Sequence, residues 1–282
     1  GLTAIRARTY YAVSQAAMLA ATIVYVDAGT QLATLDSLAG ILTPSILGSL
    51  VLLALFPWLA RRGAAALQAR KVHAPWRAIR PRRFERNLVV IGAGAAGLVS
   101  AYIGAALKAS VTLVERHKMG GDCLNYGCIP SKALIRSATL AHQMRHADRY
   151  GLAPTAPPFS FHEVMQRVRA VIRAVEPHDS AERYRGLGVD VVEGHAKIVD
   201  PWTVEVALNG GGTRRITTRS IVIAAGAEPV VPALDGLEEA GYVTSDTLWA
   251  ALEAMDQPPA RLVVLGGGPI GCELAQAFAR LG

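Results

Sequence analysis

Cys123 and Cys128 enclose Leu-Asn-Tyr-Gly within the stretch MGGDCLNYGCIPSK, which runs from Met119 to Lys132. Two sulfurs this near in sequence can join if one turn of chain brings their Cα atoms to about 4.4–6.8 Å. Pro130 then opens a helical run, Ser131 to Met144. Proline suits a first turn, because its missing N–H has no partner there anyway. Cys128 is thereby expected just outside a helix N-terminus, where the dipole favours a thiolate. The chemistry such a pair offers is thiol–disulfide exchange. The alternatives are two buried core cysteines or half of a zinc site. Zinc would need two further ligands at metal-like spacing, and nearby there is only His117. Cys272 falls in an apolar helical run and reads as a small core residue.

The elements before this pair indicate what it works with. Leu88 to Ile91 is a short apolar run that reads as a buried strand. Gly92-Ala-Gly-Ala-Ala-Gly97 follows, then a helical repeat from Leu98 to Leu107, then a second strand, Val111 to Val114, ended by Glu115. In this β-α-β unit Gly92 permits the tight turn, Gly94 lets a pyrophosphate approach the backbone, and Gly97 lets helix pack on strand. The pyrophosphate sits on the helix N-terminus. Glu115, about 20 residues on, is placed for ribose hydroxyls. A bare Gly-rich turn is weak evidence, but the complete unit points to a dinucleotide.

The pattern begins again near the end of the chain. Arg261 to Leu265 reads as a strand, and Gly266, Gly268 and Gly271 form a second GxGxxG before a helix from Cys272 to Leu281. Between the two units, Ala133 to Arg149 and Phe161 to Val175 read as helices. Val189 to Ala196, Thr203 to Val206 and Arg215 to Ile223 read as strands, with Asn209 to Gly212 as a turn. Tyr242 to Met255 reads as a Thr/Ser-rich turn and a helix. His142 and His146 lie one helical turn apart without a carboxylate or third ligand, so a solvated face is expected there. The fold expected is α/β: a Rossmann-like domain with a β-meander insertion, then the start of a second Rossmann-like domain.

The run GGDCLNYGCIPSK, placed directly after a dinucleotide loop, resembles the redox signature of the class I pyridine nucleotide–disulfide oxidoreductases. These include dihydrolipoamide dehydrogenase, glutathione reductase and mercuric reductase. The resemblance extends from about Leu88 to Gly282, and SKALIRSA looks nearer the mercuric-reductase-like and dihydrolipoamide-dehydrogenase-like members. It implies FAD at the first site, with contacts from Gly92, Gly94, Ala95, Ala96, Gly97, Glu115, Gly121, Ala196, Ala225 and Gly226. Cys123 would be the exchange thiol that meets the acceptor. Cys128 would face the flavin and form a charge-transfer complex when reduced, with Lys132 near the ring. NADH or NADPH would occupy the second site, at Gly266, Gly268, Ile270, Gly271 and Glu273. The implied acceptor is a small-molecule disulfide or Hg(II), a soft metal suited to thiolates. Asp122 stands where the family commonly has Thr. A homodimer, a His–Glu acid/base pair across it, and the strand that separates NAD from NADP are expected beyond Gly282, so the chain reads as an excerpt.

The front of the chain is of another kind. Among 282 residues, 51% are apolar and mean hydropathy is +0.29. The excess is concentrated early. Leu38 to Ala60, LAGILTPSILGSLVLLALFPWLA, carries no charge, and neither does Tyr10 to Val26; Asp27, Gln31 and Asp36 lie between them. A span takes about 20 apolar residues, so residues 1–60 are expected to form a transmembrane helical hairpin. This part looks like the end of a DedA-type (SNARE-associated Golgi) membrane domain. Arg61, Arg62, Arg70, Lys71, Arg77, Arg80, Arg82, Arg83 and Arg86 follow against one acid, Glu85, and cover the net charge of +7. With Arg6 and Arg8 before the first helix, this excess places the flanks on the cytoplasmic side of an inner membrane. Such a neck suits anionic headgroups. Nucleic acid would want aromatics interleaved with the basics, and only Trp76 and Phe84 are present, so no nucleic-acid partner is expected.

The organisation expected is therefore a hairpin over 1–60, a basic linker over 61–86, an FAD-binding domain over 87–258, and the start of an NAD(P)-binding domain over 259–282. The activity expected is electron transfer from NAD(P)H through FAD to the Cys123–Cys128 disulfide and on to the acceptor. The alternatives are a DedA-type transport or lipid-handling protein with a fused redox sensor, and a non-catalytic flavin-binding module.

Overall fold

The computed structural model describes residues 7–33 and 44–282. Two compact units divide the chain, Gly1–Ala78 and Ile79–Gly282.

In the first unit, α1 (Ala7–Ala33) and α2 (Pro44–His73) pack on each other as a hairpin. Asp27 and Gln31, expected in the loop, lie inside α1, while Arg6 and Asp36 lie outside the described residues. Among the described residues no helix is long and apolar enough to cross a membrane. Two features account for the departure from the expected spans. The run from Leu38 begins outside the described residues. Within α2 the uncharged part, Pro44 to Ala60, covers about 25 Å at 1.5 Å per residue, against a hydrocarbon core of about 30 Å. Beyond Ala60 the same helix continues unbroken through Arg61, Arg62, Arg70 and Lys71 to His73, so the first part of the basic linker is helical.

A five-stranded sheet closed on itself organises the second unit. β1 (Arg86–Ile91), β2 (Val111–Glu115), β3 (Asp190–Asp200), β4 (Thr203–Leu208) and β5 (Thr213–Ile223) run in the order β1-β2-β3-β4-β5, closing back on β1. β1 lies parallel between β2 and β5, and β2 lies parallel to β3. The longer strands β3 and β5 change partner part-way. Beyond Glu193 and before Thr218 they pair antiparallel with β4, which is the meander read from sequence. β3 changes partner at Gly194, where a Cβ would press on Val206 Cγ1 at 2.8 Å.

Asp190 fastens the other rim. Its carboxylate accepts from Arg86 at 2.8 Å, Thr112 at 3.0 Å and Arg214 at 2.7 Å, tying β1, β2 and β5 to β3. Burial pushes the Asp190 carboxyl up, but hydrogen bonds from Arg214, Arg86 and Thr112 outweigh it and hold the group at about 2. Arg86, counted with the basic linker from sequence, is therefore the first residue of β1 and is committed to the fold.

Between the strands lie α3 (Ala95–Ala106), α4 (Gly121–Asn125), α5 (Cys128–Arg145), α6 (Phe161–Val175) and α7 (Ala181–Gly186). After β5 come α8 (Leu237–Ala240), α9 (Leu248–Glu253) and α10 (Pro269–Leu281). Ser160 caps α6 by accepting from the Glu163 N–H at 3.3 Å, as its S-x-x-E spacing suggests. Small residues let α3 approach the sheet: a Cβ on Gly104 would meet Val111 Cγ2 at 2.8 Å.

Three cores result. Val90, Leu113 and Val191 pack with Leu98 and Ala101 of α3 and Tyr184 of α7. Val89, Val114, Val192, Val204, Val206 and Ile216 fill the inside of the closed sheet. Leu134, Phe161, Met165, Val168, Trp249 and Phe278 join α5, α6, α9 and α10. The strand expected at Arg261–Leu265 does not form. No strand among the described residues pairs with it, and Val263 and Leu265 are exposed. A strand's backbone groups need a neighbour's.

Candidate active site

The carboxyl ends of β1, β2 and β5 open onto a cleft of about 1040 Å³, the side of a parallel sheet where ligands bind. Ten of the residues singled out from sequence line it: Gly92, Gly94, Ala95, Ala96, Glu115, Gly121, Cys123, Ala196, Ala225 and Gly226. The turn is built as its glycines require. Gly92 has φ +98°, and a Cβ there would come 2.8 Å from the Ala224 carbonyl carbon. A Cβ on Gly97 would overlap the Gly92 carbonyl, so helix and strand meet backbone to backbone and Gly97 lies beneath the cleft. Gly94 caps α3 without a side-chain hydrogen bond, leaving the first N–H groups of the helix directed at the cleft.

Glu115 has a further task. Its Oε2 accepts from the Ala93 N–H at 2.6 Å and its Oε1 from the His117 N–H at 2.8 Å. The carboxylate thus braces the loop, and each oxygen keeps a second lone pair for a ribose hydroxyl. Ala93 was not singled out from sequence, because only its backbone takes part.

The redox loop rests on the dinucleotide loop. The Gly120 N–H donates to the Ala93 carbonyl at 3.0 Å. Gly121 has φ +54°, and a Cβ there would come 2.6 Å from the Gly94 Cα. Asn125 closes the turn by donating from Nδ2 to the carbonyls of Met119 at 3.1 Å and Gly121 at 2.9 Å. Trp249 Nε1 donates to the Tyr126 carbonyl at 2.6 Å, tying the loop to α9. Asn125 and Trp249 are positioning residues that sequence reasoning missed. The Asn inside the Cys pair was the available signal; nothing near Trp249 marked it.

The two sulfurs are neighbours with different surroundings. Cys123 is half-buried in the cleft wall, and Cys128 is exposed outside it. Burial, and after it the adjoining Cys128 thiol, pushes the Cys123 thiol up to about 11. Cys128 is not just outside the helix. It is the first residue of α5, with Gly127 as cap and Pro130 in the first turn. Its sulfur lies where the α5 dipole favours negative charge. Lys132 stands one turn further along α5, exposed and not in the cleft lining.

Gly266, Gly268, Ile270, Gly271 and Glu273 lie away from this cleft, yet their turn repeats the local geometry of the first. Gly266 has φ +106°, and a Cβ on Gly271 would come 2.8 Å from the Gly266 carbonyl oxygen and 3.0 Å from Val264 Cγ1. Cys272, expected in a core, is exposed. His142 and His146 stack at 4.1 Å between ring centroids, and no cluster among the described residues can hold a metal ion.

Residues 86–282 match the pyridine nucleotide-disulphide oxidoreductase family. The chain belongs to that family. Mercuric reductase of Streptomyces lividans is 39% identical over 200 residues, which are 70% of this chain and 41% of that protein. Mercuric reductase of Serratia marcescens is 37% identical over 203 residues, 70% of this chain and 42% of that one. Dihydrolipoyl dehydrogenase of Mycoplasma pneumoniae is 36% identical over 200 residues, again 70% and 42%. A copper(II) complex of a mutant of the HOCl-induced flavoprotein disulfide reductase RclA from Escherichia coli superimposes with a TM-score of 0.58. It is 28% identical and matches 71% of this chain and 41% of that one. The chain spans about two-fifths of these relatives. None of these matches reaches beyond 71% of the chain.

The family uses FAD and NAD(P)H, and the residues present suit both roles. The first cleft has the size, the free helix N-terminus and the side-chain-free floor at Gly94 that a dinucleotide needs. The Gly266–Gly271 turn supplies the beginning of a second such floor.

Proposed function

We propose that this chain is the flavin and disulfide portion of an NAD(P)H-dependent oxidoreductase whose Cys123–Cys128 pair passes electrons to a disulfide or Hg(II). The observation that carries this reading is the contact of Gly121 with Gly94, which sets the cysteine loop on the dinucleotide loop. FAD, when bound, supplies two-electron chemistry between the nicotinamide and the disulfide. The chain's own residues do the rest. The α3 N-terminus and Gly94 receive the pyrophosphate, Glu115 holds the loop, and Asn125 and Trp249 fix the cysteine turn. Burial, and after it the adjoining Cys128 thiol, pushes the half-buried Cys123 thiol up, and the α5 dipole favours negative charge at Cys128. The dipole at Cys128 supports the role that the family resemblance implies for it, the thiolate facing the flavin, with Cys123 as the exchange thiol; in the structure it is Cys123 that lines the cleft. With a disulfide acceptor, the Cys123 proton passes to the Cys128 thiolate, and the Cys123 thiolate attacks one sulfur, forming a mixed disulfide and expelling the other sulfur, which takes that proton and leaves as a thiol. The Cys128 thiolate then attacks the Cys123 sulfur, restores the Cys123–Cys128 bond, and expels the second sulfur as a thiolate that takes a proton from water.

The similarity to mercuric reductases supports Hg(II) as acceptor, and that to a dihydrolipoyl dehydrogenase supports a small disulfide. Anaerobic reductive titration tests the common part. The FAD-loaded chain is expected to take up one electron pair more per flavin than its Cys123→Ala/Cys128→Ala variant. Equal uptake would leave the flavin as the sole carrier.

A second reading concerns location. Tyr10, Tyr11, Met18, Leu19 and Ile23 of α1 are exposed apolar side chains, and the end of α2 is basic. This favours seating of the hairpin on an anionic, cytoplasmic membrane face, by burial of apolar side chains at the headgroup level. Vesicles containing phosphatidylglycerol are expected to retain the protein, and removal of residues 1–60 to release it. Retention without them would overturn this reading.

A further inference from the structure

Beside the start of β1 and the middle of β5, opposite the dinucleotide cleft, lies a second cavity of about 590 Å³. Arg80, Arg82, Arg83 and Arg219 line it, with Phe84 and Trp202 between them. We propose that this cavity is a binding site for a phosphate group, separate from the flavin site.

Four arguments support it. First, no ion pair among the described residues answers the charges of these four arginines. The acids beside them are committed elsewhere. Glu85 accepts from the Thr217 N–H at 2.8 Å, and Asp200 accepts from the Trp202 N–H at 2.8 Å. Four like charges around one space repel, and an anion relieves that repulsion. Second, two of the guanidinium groups lie over aromatic rings. Arg80 lies over the Trp202 ring at 5.6 Å and Arg219 over the Phe84 ring at 5.9 Å. Trp202 is itself buried, so its ring is a fixed platform. Stacking of this kind orients the planar fork and lowers the entropy lost when it grips a ligand.

Third, guanidinium forks match the paired oxygens of phosphate, which makes phosphate the anion this set suits best. The volume falls within the range of small-molecule sites and exceeds what a bare ion needs. A phosphate carrying a further group, such as a lipid headgroup or a soluble phosphate ester, fits the space. Fourth, the position is independent of the flavin. Arg86 is in register with Thr218 at this rim, and Ile91 with Ile223 at the other. The length of β1 therefore separates the two sites by about 17 Å. The fused sequence of Arg80 to Phe84 with β1 means that an anion here would also bear on the start of the central strand.

The test is calorimetric titration of the chain with pyrophosphate at low salt, in excess FAD so that the dinucleotide loop is filled. Saturable binding is expected, weakened at least tenfold in Arg82→Gln/Arg219→Gln. A second variant, Arg83→Gln/Arg219→Gln, is expected to weaken it similarly, and serves if the first folds poorly. Arg149→Gln/Arg173→Gln removes the same charge from exposed positions elsewhere and is expected to bind within twofold of the parent. FAD affinity should stay the same in all three. Vesicles of phosphatidylglycerol in phosphatidylcholine then separate the sources. Displacement of bound pyrophosphate by vesicles identifies a lipid headgroup. Pyrophosphate binding that vesicles do not displace identifies a soluble phosphate ester. No saturable binding, or an equal loss in the control variant, would overturn the proposal.

Discussion

Gly121 and Gly94 meet backbone to backbone, so closely that a Cβ on Gly121 would stand 2.6 Å from the Gly94 Cα. Gly121 also holds φ +54°, a region costly for a residue with a Cβ. This contact joins the two halves of the chemistry. Gly94 is where a pyrophosphate would approach under the proposed function, and Gly121 begins the short helix that carries Cys123.

Gly121→Ala is therefore expected to push the loops apart. FAD affinity should fall at least tenfold, about 1.4 kcal/mol or more, and the melting temperature of the flavin-free protein should fall with it. Flavin fluorescence titration and calorimetry read the two effects. Gly151→Ala is the comparison: its φ is +74°, but no atom lies within 4 Å of its added Cβ. It should cost some stability and leave FAD affinity intact.

Asp190 gives a pH dependence with a defined sign. Its carboxyl ionises at about 2 in the folded chain, below the ordinary 3.8. The stability it contributes is present above about 3.8 and is lost as pH falls through about 2. Asp190→Asn should lower stability at neutral pH by about 1–2 kcal/mol, after discounting for its partial exposure. The difference from the parent should shrink as pH drops through that window. Denaturant unfolding at a series of pH values measures this. A deficit that persists unchanged at pH 2 would mean that packing, and not charge, holds the rim.

The cysteines should differ in reactivity. Cys128 is exposed, whereas Cys123 is half-buried and pushed up to about 11. In the reduced, flavin-free chain iodoacetamide should label Cys128 first near neutral pH. Labelling of Cys123 should lag and accelerate as pH rises towards 11, because the thiolate is the nucleophile. Peptide mapping by mass spectrometry separates the sites. Cys272 is also exposed and should be replaced by Ser for this experiment.

The sequence carried the flavin half of this site because each element there is local. Glycine at 92, 94 and 97 announces the turn, alternation and β-branching announce the strands, and the Cys pair announces the redox loop. The same reasoning erred where a distant partner decides. Arg86 looked like one more charge of a basic neck, but Asp190 claims it across the sheet. Arg261–Leu265 looked like a strand, but no neighbouring strand is present among the described residues to pair with it. The grip of Trp249 on Tyr126 spans too many residues for spacing to reveal. The Leu38–Ala60 run reads as a span by composition, yet the described part of its helix continues directly into arginines.

The central claim is that Cys128 meets the flavin as a thiolate. The most direct measurement is the visible spectrum of the FAD-loaded chain after anaerobic addition of one electron pair per flavin. The account predicts a long-wavelength thiolate–flavin band, lost in Cys128→Ala with FAD retained and present without reductant in Cys123→Ala. A flavin-loaded protein that is reduced without that band, or one that keeps it in Cys128→Ala, would contradict the account.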